Sequence, residues 1–316
     1  MKAIVMSRFG GPDVLRWEER AEPHPGAHEL LVRVYATSVN TVDCSIRRGE
    51  QAVALPAVIG YDVSGVVETV GPEVQDFVPG DEVFYMPELF SSDGSYAEYH
   101  VAAEKIVARK PRNLSHVEAA GIPLAASAAW EALIVRAELR AGETVLILGA
   151  GDTGLFGIQI ARAAGAEVYV VCRPEAVALA LQLGASRTID LDTEDFLAVV
   201  QIESTDGAVE VVLDTIDGNS LRRIVQATKA HGRIASTVAA TGSGLEDALA
   251  RNITHHSVSV EPNRARLDSL CAMIQRGQIV PMIDSVLSLQ DAASAHRQFE
   301  VGGMLGKLIL CSVVAT

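Results

Sequence analysis

The chain has 316 residues, of which 49% are hydrophobic and 21% are charged, and its formal net charge is -14 at pH 7. A chain of this length predicts two domains, and its apolar share can build a core without disulfides or structural metal. The negative charge argues against nucleic-acid binding, because phosphates would be repelled, and no apolar run of about 18 residues predicts a membrane span.

The N-terminal segment carries an early charge and no long apolar stretch behind it, so a secretory signal is not expected. The four cysteines lie far apart in the sequence, at Cys44, Cys172, Cys271 and Cys311. Without an export signal they are expected to be free or buried thiols, and the chain is expected to be cytoplasmic.

The N-terminal third predicts short strands separated by turns. Residues 30–34 and 63–70 have the composition and the two-residue alternation of strands. Turn-forming residues separate such runs at positions 71–72, 79–81 and 92–94. No segment of helical periodicity is expected before about Ser115. This part of the chain predicts a mostly β, partly closed barrel.

The pattern changes at Ser115, which has with Glu118 the spacing of a capping box at the start of an alanine-rich helix. Strands and helices then alternate. The predicted strands are residues 144–148, 167–171, 209–213, 233–236 and 257–260, and the predicted helices run through residues 158–164 and from Pro174. Such alternation indicates a Rossmann-type, doubly wound parallel sheet, so the fold class is α/β.

The C-terminal segment predicts a helix at residues 267–274, an extended stretch at 281–289 and a last strand at 307–310. This tail is expected to return to the N-terminal domain. The predicted domains are therefore residues 1–120 together with 263–316, and residues 121–262.

A glycine-rich corner follows the strand at residues 144–148. Gly149-Ala150-Gly151-Asp152-Thr153-Gly154 matches the G-x-G-x-x-G pattern between a strand and a helix. The first glycine allows the turn, the second lets a diphosphate approach the backbone, and the third lets the helix pack on the strand. Because a helix N-terminus directs amides at an anion, Gly149, Gly151, Asp152, Thr153 and Gly154 are the predicted dinucleotide contacts.

Two residues near this corner bear on the choice of cofactor. Asp152 would repel a diphosphate unless it turns away or caps the helix, and capping is the expectation. The second strand ends in Val171-Cys172-Arg173, without the carboxylate that would bind the adenosine ribose of NAD. Arg173 can pair with the 2′-phosphate of NADP, which favours NADP(H), or it can be a solvated surface charge.

Seven segments carry a resemblance to a known family: residues 1–4, 9–15, 39–43, 60–65, 80–84, 94–99 and 306–310. Together they resemble the zinc-free medium-chain dehydrogenase/reductases, in the quinone oxidoreductase (zeta-crystallin-like) branch, over essentially the whole chain. The resemblance implies that the barrel is a GroES-like catalytic domain, that the parallel sheet binds the dinucleotide, and that the protein is a homodimer. Residues 257–260 are a plausible edge strand for pairing two copies.

Zinc-dependent members of this fold hold their catalytic zinc with Cys, His and Cys. The matching positions here are Asn40, Tyr61 and Leu124, which do not form a credible zinc ligand set. No metal is therefore expected. Substrates that spread the incoming charge over a conjugated system, namely quinones and α,β-unsaturated carbonyls, are then favoured over isolated ketones.

The resemblance implies three candidate catalytic residues. Asn40 is expected beside the nicotinamide and the substrate, and Tyr61 is the candidate hydrogen-bond donor to the substrate oxygen. Asp43 is expected to orient the loop rather than to perform acid–base chemistry. Tyr61 can alternatively be a barrel residue without a chemical role, and Tyr96 is expected to be structural.

The remaining candidate cofactor contacts are Asn40, Ser127, Val238 and Lys307. Ser127 stands where relatives carry a threonine that approaches the nicotinamide amide. Ala176 and Leu191 stand where relatives often carry a lysine and a tyrosine, so Arg173 supports most of the NADP prediction.

The function predicted from these features is NADPH-dependent, metal-free hydride transfer to a small-molecule quinone or enone. A dedicated enoyl reductase of a biosynthetic pathway, for instance of polyketides, is an alternative, because the loops at residues 50–57 and 87–92 would determine the substrate. A non-catalytic nucleotide-binding scaffold on the same fold is a second alternative.

Overall fold

A computed structural model describes residues 1–216, 221–239 and 243–312 of the chain. The chain divides into two compact units, Met1–Leu124 with Glu261–Thr316, and Ala125–Val260. Each unit has a hydrophobic core of its own, built around Ile4, Tyr61 and Leu310 in the first and around Leu146, Val212 and Ile234 in the second.

In the described residues the strands are β1 (Lys2–Met6), β2 (Leu15–Glu19), β3 (Glu29–Ser38), β4 (Val63–Val70), β5 (Glu82–Tyr85), β6 (Tyr99–Ala103), β7 (Ala108–Arg109), β8 (Thr144–Leu148), β9 (Glu167–Cys172), β10 (Arg187–Asp190), β11 (Val209–Asp214), β12 (Thr228–Ser236), β13 (Thr254–Ser257), β14 (Ile283–Ser288) and β15 (Lys307–Cys311). The helices are α1 (Thr41–Arg48), α2 (His116–Ala119), α3 (Pro123–Trp130), α4 (Asp152–Ala163), α5 (Val177–Leu183), α6 (Phe196–Glu203), α7 (Leu221–Ala227), α8 (Leu245–Ala250), α9 (Arg264–Gln275) and α10 (Ala292–Val301). A π-helical segment, Glu131–Arg136, continues α3.

The first unit is mostly β, as predicted. Its main sheet runs in the order β14-β15-β3-β4-β5-β7, and β6 also pairs with β3. The long strand β3 pairs with β4 along one side, and with β6 and β15 at the two ends of its other side. β3 therefore has strand neighbours on both sides along its length and is the central strand of this unit. Because β15 pairs with β3, the C-terminal tail packs in the first unit.

Helix α1 corrects the expectation that no helix precedes Ser115. It begins after Asn40 and ends at Gly49, whose φ of 85° lies in the left-handed region favoured by glycine. Its buried face includes the charged residues Asp43 and Arg47 beside Cys44. The apolar periodicity that identifies a helix in the sequence is therefore hidden.

The second unit contains a parallel sheet in the order β10-β9-β8-β11-β12-β13 within the described residues. Strands β9 and β10 follow β8 on one side of it. The chain then crosses to the other side of β8, where β11, β12 and β13 follow in order. This is the doubly wound Rossmann order, with its switch point between β8 and β11, and it confirms the predicted fold class. Ligands of such sheets bind outside the carboxyl ends of the strands at that point.

Several element boundaries differ from the prediction, and β12, for instance, begins at Thr228 rather than at Arg233. The strand predicted at residues 257–260 is instead β13, Thr254–Ser257, because it follows the parallel register of β12 and ends opposite Ser236. The alanine-rich helix is divided into α2 and α3. Pro123 starts the second of these, since proline disfavours helical geometry in the residue before it.

No helix in the described ranges of the chain has the length and the apolar character needed to cross a membrane.

Candidate active site

The second unit carries the glycine corner between β8 and α4. Gly149 has a φ of 103°, and a β-carbon at Gly154 would lie 1.9 Å from the carbonyl oxygen of Gly149. Only glycine fits at these two positions. A β-carbon at Gly151, in contrast, would meet no described atom within 4 Å. The corner is therefore packed on its inner side and open at the position where a diphosphate would approach.

Asp152 does not occupy the capping position that the sequence analysis expected. Helix α4 begins at Asp152 itself and Gly151 is its N-cap residue, so Asp152 and Thr153 lie in the first turn. A carboxylate in a first turn interacts favourably with the helix dipole. Asp152 thus lies one residue inside the helix, and Gly151 stays open.

The parallel sheet brings two further candidates to the same edge. Arg173 follows the end of β9 and is exposed, and Val238 lies two residues after the end of β12. The ends of β8, β11 and β12 are in register through Leu148, Asp214 and Ser236. Because parallel strands end at one edge, the glycine corner, Arg173 and Val238 all lie there.

Two acidic residues at and after the end of β10, the strand next to β9, have partners of their own. Asp190 is the register partner of Cys172, and its Oδ1 accepts a hydrogen bond of 2.9 Å from the backbone N–H of Asp192. Glu194 accepts from the backbone N–H of Asp190 at 2.9 Å and pairs with Arg187 at 2.6 Å. Ser127, the other candidate of this unit, is buried in α3.

The first unit carries a buried polar cluster centred on Asp62. Its Oδ2 accepts hydrogen bonds from the hydroxyl of Ser38 and, at 2.8 Å, from the amide Nδ2 of Asn40. Its Oδ1 accepts from the backbone N–H of Leu124 at 2.7 Å. The ammonium of Lys307 lies 3.7 Å from Oδ2. Burial raises the pKa of Asp62, while the positive charge of Lys307 and the donors oppose that shift.

Lys307 lies inside the first unit with 1% of its side chain exposed. Its ammonium donates to Oδ1 of Asn40 at 2.6 Å and lies 3.5 Å from the carbonyl oxygen of Val39. Asn40, Asp62 and Val39 are thus among the partners of this ammonium in the first unit. A direct contact between Lys307 and the cofactor stays a prediction.

Asp43 is fully buried at the start of α1. Its Oδ2 accepts a hydrogen bond of 2.7 Å from the backbone N–H of Asn40, and its Oδ1 has no hydrogen-bond partner among the described residues. Burial raises the pKa of the Asp43 carboxyl to about 7. This carboxyl fixes the backbone of Asn40, and an orienting role for Asp43 in the reaction stays a prediction.

Tyr61 is buried in the core of the first unit. Its hydroxyl donates to the carbonyl oxygen of Ser91 over 3.4 Å, a long hydrogen bond that joins it to the loop at residues 87–92. Burial, and secondarily the negative charge of Asp43, raise the pKa of the Tyr61 phenol. The group therefore stays protonated and able to donate. Tyr96 is also buried, and its hydroxyl contacts His296 at 3.1 Å.

The residues at the zinc-ligand positions do not fit a zinc ion. The side chain of Asn40 bonds to Asp62 and Lys307, Tyr61 is a protonated phenol, and the side chain of Leu124 has no atom that could bind a metal, while its backbone N–H donates to Asp62. Within residues 1–216, 221–239 and 243–312, no cluster of three or more His, Cys, Asp or Glu side chains is arranged to hold a metal ion.

Sequence reasoning assigned no role to two members of the polar cluster, Ser38 and Asp62. Asp62 lies in the segment 60–65 that contributed to the resemblance, directly after Tyr61. Asp62 directly precedes the apolar residues at the start of β4, and aspartate is rarely buried unless it is paired. A charged residue in this position was the one feature of the sequence that indicated a buried polar cluster. Its partners Leu124 and Lys307 are too distant in sequence to have been inferred.

Comparisons with known proteins agree with this arrangement. The family models described as "Alcohol dehydrogenase GroES-like domain" and "Zinc-binding dehydrogenase" match residues 26–112 and 183–310. Quinone oxidoreductase of Rattus norvegicus is 32% identical over 324 residues, which covers 98% of this chain and 97% of the relative. The chloroplastic NADPH-dependent alkenal/one oxidoreductase of Arabidopsis thaliana is 33% identical over 327 residues, covering 98% of this chain and 79% of the relative.

A solved structure is similar over the same extent. The crystal structure of an NAD-dependent alcohol dehydrogenase superimposes with a TM-score of 0.92 at 32% identity, and the match covers 99% of this chain and 100% of the other. The first unit corresponds to the GroES-like domain and the second to the Rossmann domain. The chain therefore belongs to the medium-chain dehydrogenase/reductase family, in its quinone oxidoreductase branch, and is an oxidoreductase.

Proposed function

We propose that this protein is an NADPH-dependent reductase that transfers hydride to a quinone or an α,β-unsaturated carbonyl without a metal ion. The observation that carries the proposal is the glycine corner at the switch point, which is open at Gly151 and packed at Gly149 and Gly154. Relatives named for quinone and for alkenal/one reduction support this substrate class.

The second unit binds the dinucleotide in this proposal. The amides of the first turn of α4, including those of Asp152 and Thr153, receive the diphosphate. Arg173 pairs with the 2′-phosphate, and Ser127 and Val238 contact the nicotinamide half. Because Asp190 and Glu194 already have partners near β10, Arg173 is the charge that discriminates NADPH from NADH in this proposal. Bound NADPH supplies the hydride.

The first unit supplies the groups that act on the substrate. The protonated hydroxyl of Tyr61 donates to the substrate oxygen, replacing its long bond to Ser91, and stabilises the negative charge that develops there. Hydride addition to a conjugated carbonyl or quinone spreads that charge, so a hydrogen-bond donor suffices. Asn40 contacts the nicotinamide, and Asp43 holds the backbone of Asn40 in place.

The proposal extends to location and assembly. All four cysteines are free thiols, which supports a reducing compartment such as the cytoplasm. The family supports a homodimer. Light scattering coupled to size-exclusion chromatography tests the proposed homodimer, and a monomeric mass would contradict it.

Two measurements test the proposed reaction. Fluorescence titration with NADPH and NADH measures cofactor binding, and NADPH oxidation is then followed with p-benzoquinone, an aliphatic alkenal and an enoyl thioester. Turnover of the quinone or the alkenal with NADPH is expected. Turnover of the thioester alone would favour a biosynthetic enoyl reductase, and tight binding without any turnover would favour a scaffold. Failure to bind either nucleotide would refute the proposal.

A further inference from the structure

We propose that Asp62 and Lys307 are positioning residues that hold the side chain of Asn40 in the orientation that hydride transfer requires. The inference rests on the proposed function, because it concerns how the first unit presents Asn40 to the reaction. Its support is the bonding pattern of the buried cluster around Asp62.

The carboxylate of Asp62 joins three separate segments of the first unit. Ser38 and Asn40 come from the end of β3 and the residues after it, Asp62 precedes β4, and Leu124 lies at the start of α3. The partners Asn40 and Leu124 are 22 and 62 residues from Asp62 in sequence. One side chain thus connects by hydrogen bonds segments that the chain alone would not hold together.

Lys307 adds a fourth segment from the C-terminal tail. It begins β15, and its ammonium reaches Asn40, 267 residues away in sequence, at 2.6 Å. Its stem lies against Gly121, where a β-carbon would be 3.3 Å from Cγ of Lys307 and 3.1 Å from Cδ1 of Ile283. Packing and hydrogen bonding therefore both fix the position of the ammonium.

These contacts determine which way the amide of Asn40 faces. Oδ1 accepts from the ammonium of Lys307, while Nδ2 donates to the carboxylate of Asp62 and lies 3.3 Å from the hydroxyl of Ser38. A flipped amide would place its NH₂ group against a cation and its oxygen against an anion. In the proposal, the second lone pair of Oδ1 accepts a hydrogen bond from the bound ligand.

Stability alone does not account for this ion pair. Both residues are buried, and desolvating two charges costs about as much as their attraction returns, so well-packed apolar side chains are often as stable. What an apolar pair could not supply is the fixed orientation of an amide. The ion pair of Asp62 and Lys307 is therefore best explained by its role in positioning the amide of Asn40.

The test compares kcat, KM and the Kd of NADPH for wild type, Lys307→Met, Asp62→Asn, Asn40→Ala and the double variant N40A/K307M. Lys307→Met keeps the apolar stem, and Asp62→Asn keeps the shape of the side chain. Both should lower kcat about 10- to 100-fold, and in Asp62→Asn, which alters no predicted cofactor contact, the Kd of NADPH should change less than about twofold. The double variant should lose no more than Asn40→Ala alone, because Lys307 acts through Asn40.

Lys110→Met is the matched control. Lys110 is also a buried lysine of the first unit, and its ammonium bonds to the carbonyl oxygens of Pro111 and Leu114 and lies 3.4 Å from Glu82. This variant should lose thermal stability but keep kcat, which separates positioning from general destabilisation. If Lys307→Met does not fold, Asp62→Asn provides the same comparison.

Three results would overturn the inference: wild-type kcat in both Lys307→Met and Asp62→Asn, wild-type kcat in Asn40→Ala, or a loss in the double variant equal to the product of the single losses. These outcomes presuppose an active wild type. A wild type that binds NADPH but reduces no acceptor refutes the proposed function instead, so the two failures are distinguishable.

Discussion

Gly154 and Gly149 approach each other so closely that a β-carbon added at Gly154 would lie 1.9 Å from the carbonyl oxygen of Gly149. The obstacle is backbone and cannot rotate away. Gly154→Ala should therefore lower the free energy of unfolding by about 1–3 kcal/mol, because the first turn of α4 must shift from β8. Urea unfolding measures this change. Gly151→Ala, where a β-carbon meets no described atom within 4 Å, should stay within about 0.5 kcal/mol of wild type.

Gly151→Val should block the cofactor without disturbing the fold. Gly151 has φ and ψ of -77° and -172°, an extended conformation that any residue adopts, so the valine would project into the open side of the corner. We expect the Kd of NADPH to rise about 10-fold or more through lost amide–phosphate bonds. Gly11→Val is the matched control, since Gly11 has φ and ψ of -68° and 175° and equally open surroundings. Equal Kd values in the two variants would contradict a diphosphate site at this corner.

Arg173→Ala should remove the preference for NADPH over NADH. Arg173 is exposed beside the end of β9, and a charge-assisted bond to the 2′-phosphate is worth about 1.5–3 kcal/mol. The Kd of NADPH should therefore rise about 10-fold or more while that of NADH stays unchanged. Arg16→Ala, which removes an exposed arginine from β2, is the control for net charge. Parallel changes for both nucleotides would show that Arg173 is a solvated surface charge.

The glycine corner could be predicted from the sequence because its constraints are local: a tight turn, a close approach and a helix start all fall within residues 149–154. Helix α1 could not, because its buried face contains Asp43 and Arg47. The Asp62 cluster could not be predicted from the sequence for another reason. Its bonds join residues up to 267 positions apart, and a buried charge identifies its partner only in three dimensions.

The buried carboxyl of Asp43 predicts a pH-dependent stability difference between wild type and Asp43→Asn. The folded pKa is about 7 and the ordinary value is 3.8, so between these values the folded protein holds a proton that the unfolded chain has released. The wild-type free energy of unfolding should therefore fall, relative to the variant, by up to about 1.4 kcal/mol per pH unit as pH rises through this window.

The asparagine of this variant can still accept the hydrogen bond from the backbone of Asn40, and Asp62 is present in both proteins, so its titration largely cancels in the difference. Urea unfolding of both proteins at several pH values between 4 and 8 measures the effect. Curves that remain parallel over this range would show that the Asp43 carboxyl titrates alike in the folded and unfolded states.

Tyr61→Phe separates the two interpretations of this tyrosine. The hydroxyl bonds only to backbone groups of the loop at residues 87–92, with 3.4 Å to the carbonyl oxygen of Ser91, so its loss should change the free energy of unfolding by less than about 1 kcal/mol. If the hydroxyl donates to the substrate oxygen during hydride transfer, kcat should fall about 10²- to 10³-fold while the Kd of NADPH is unchanged. Steady-state kinetics with p-benzoquinone measure the effect, and Tyr99→Phe on β6 is a control that keeps wild-type kcat. Wild-type kcat in Tyr61→Phe would assign the residue to the core of the barrel and require another donor for the substrate oxygen.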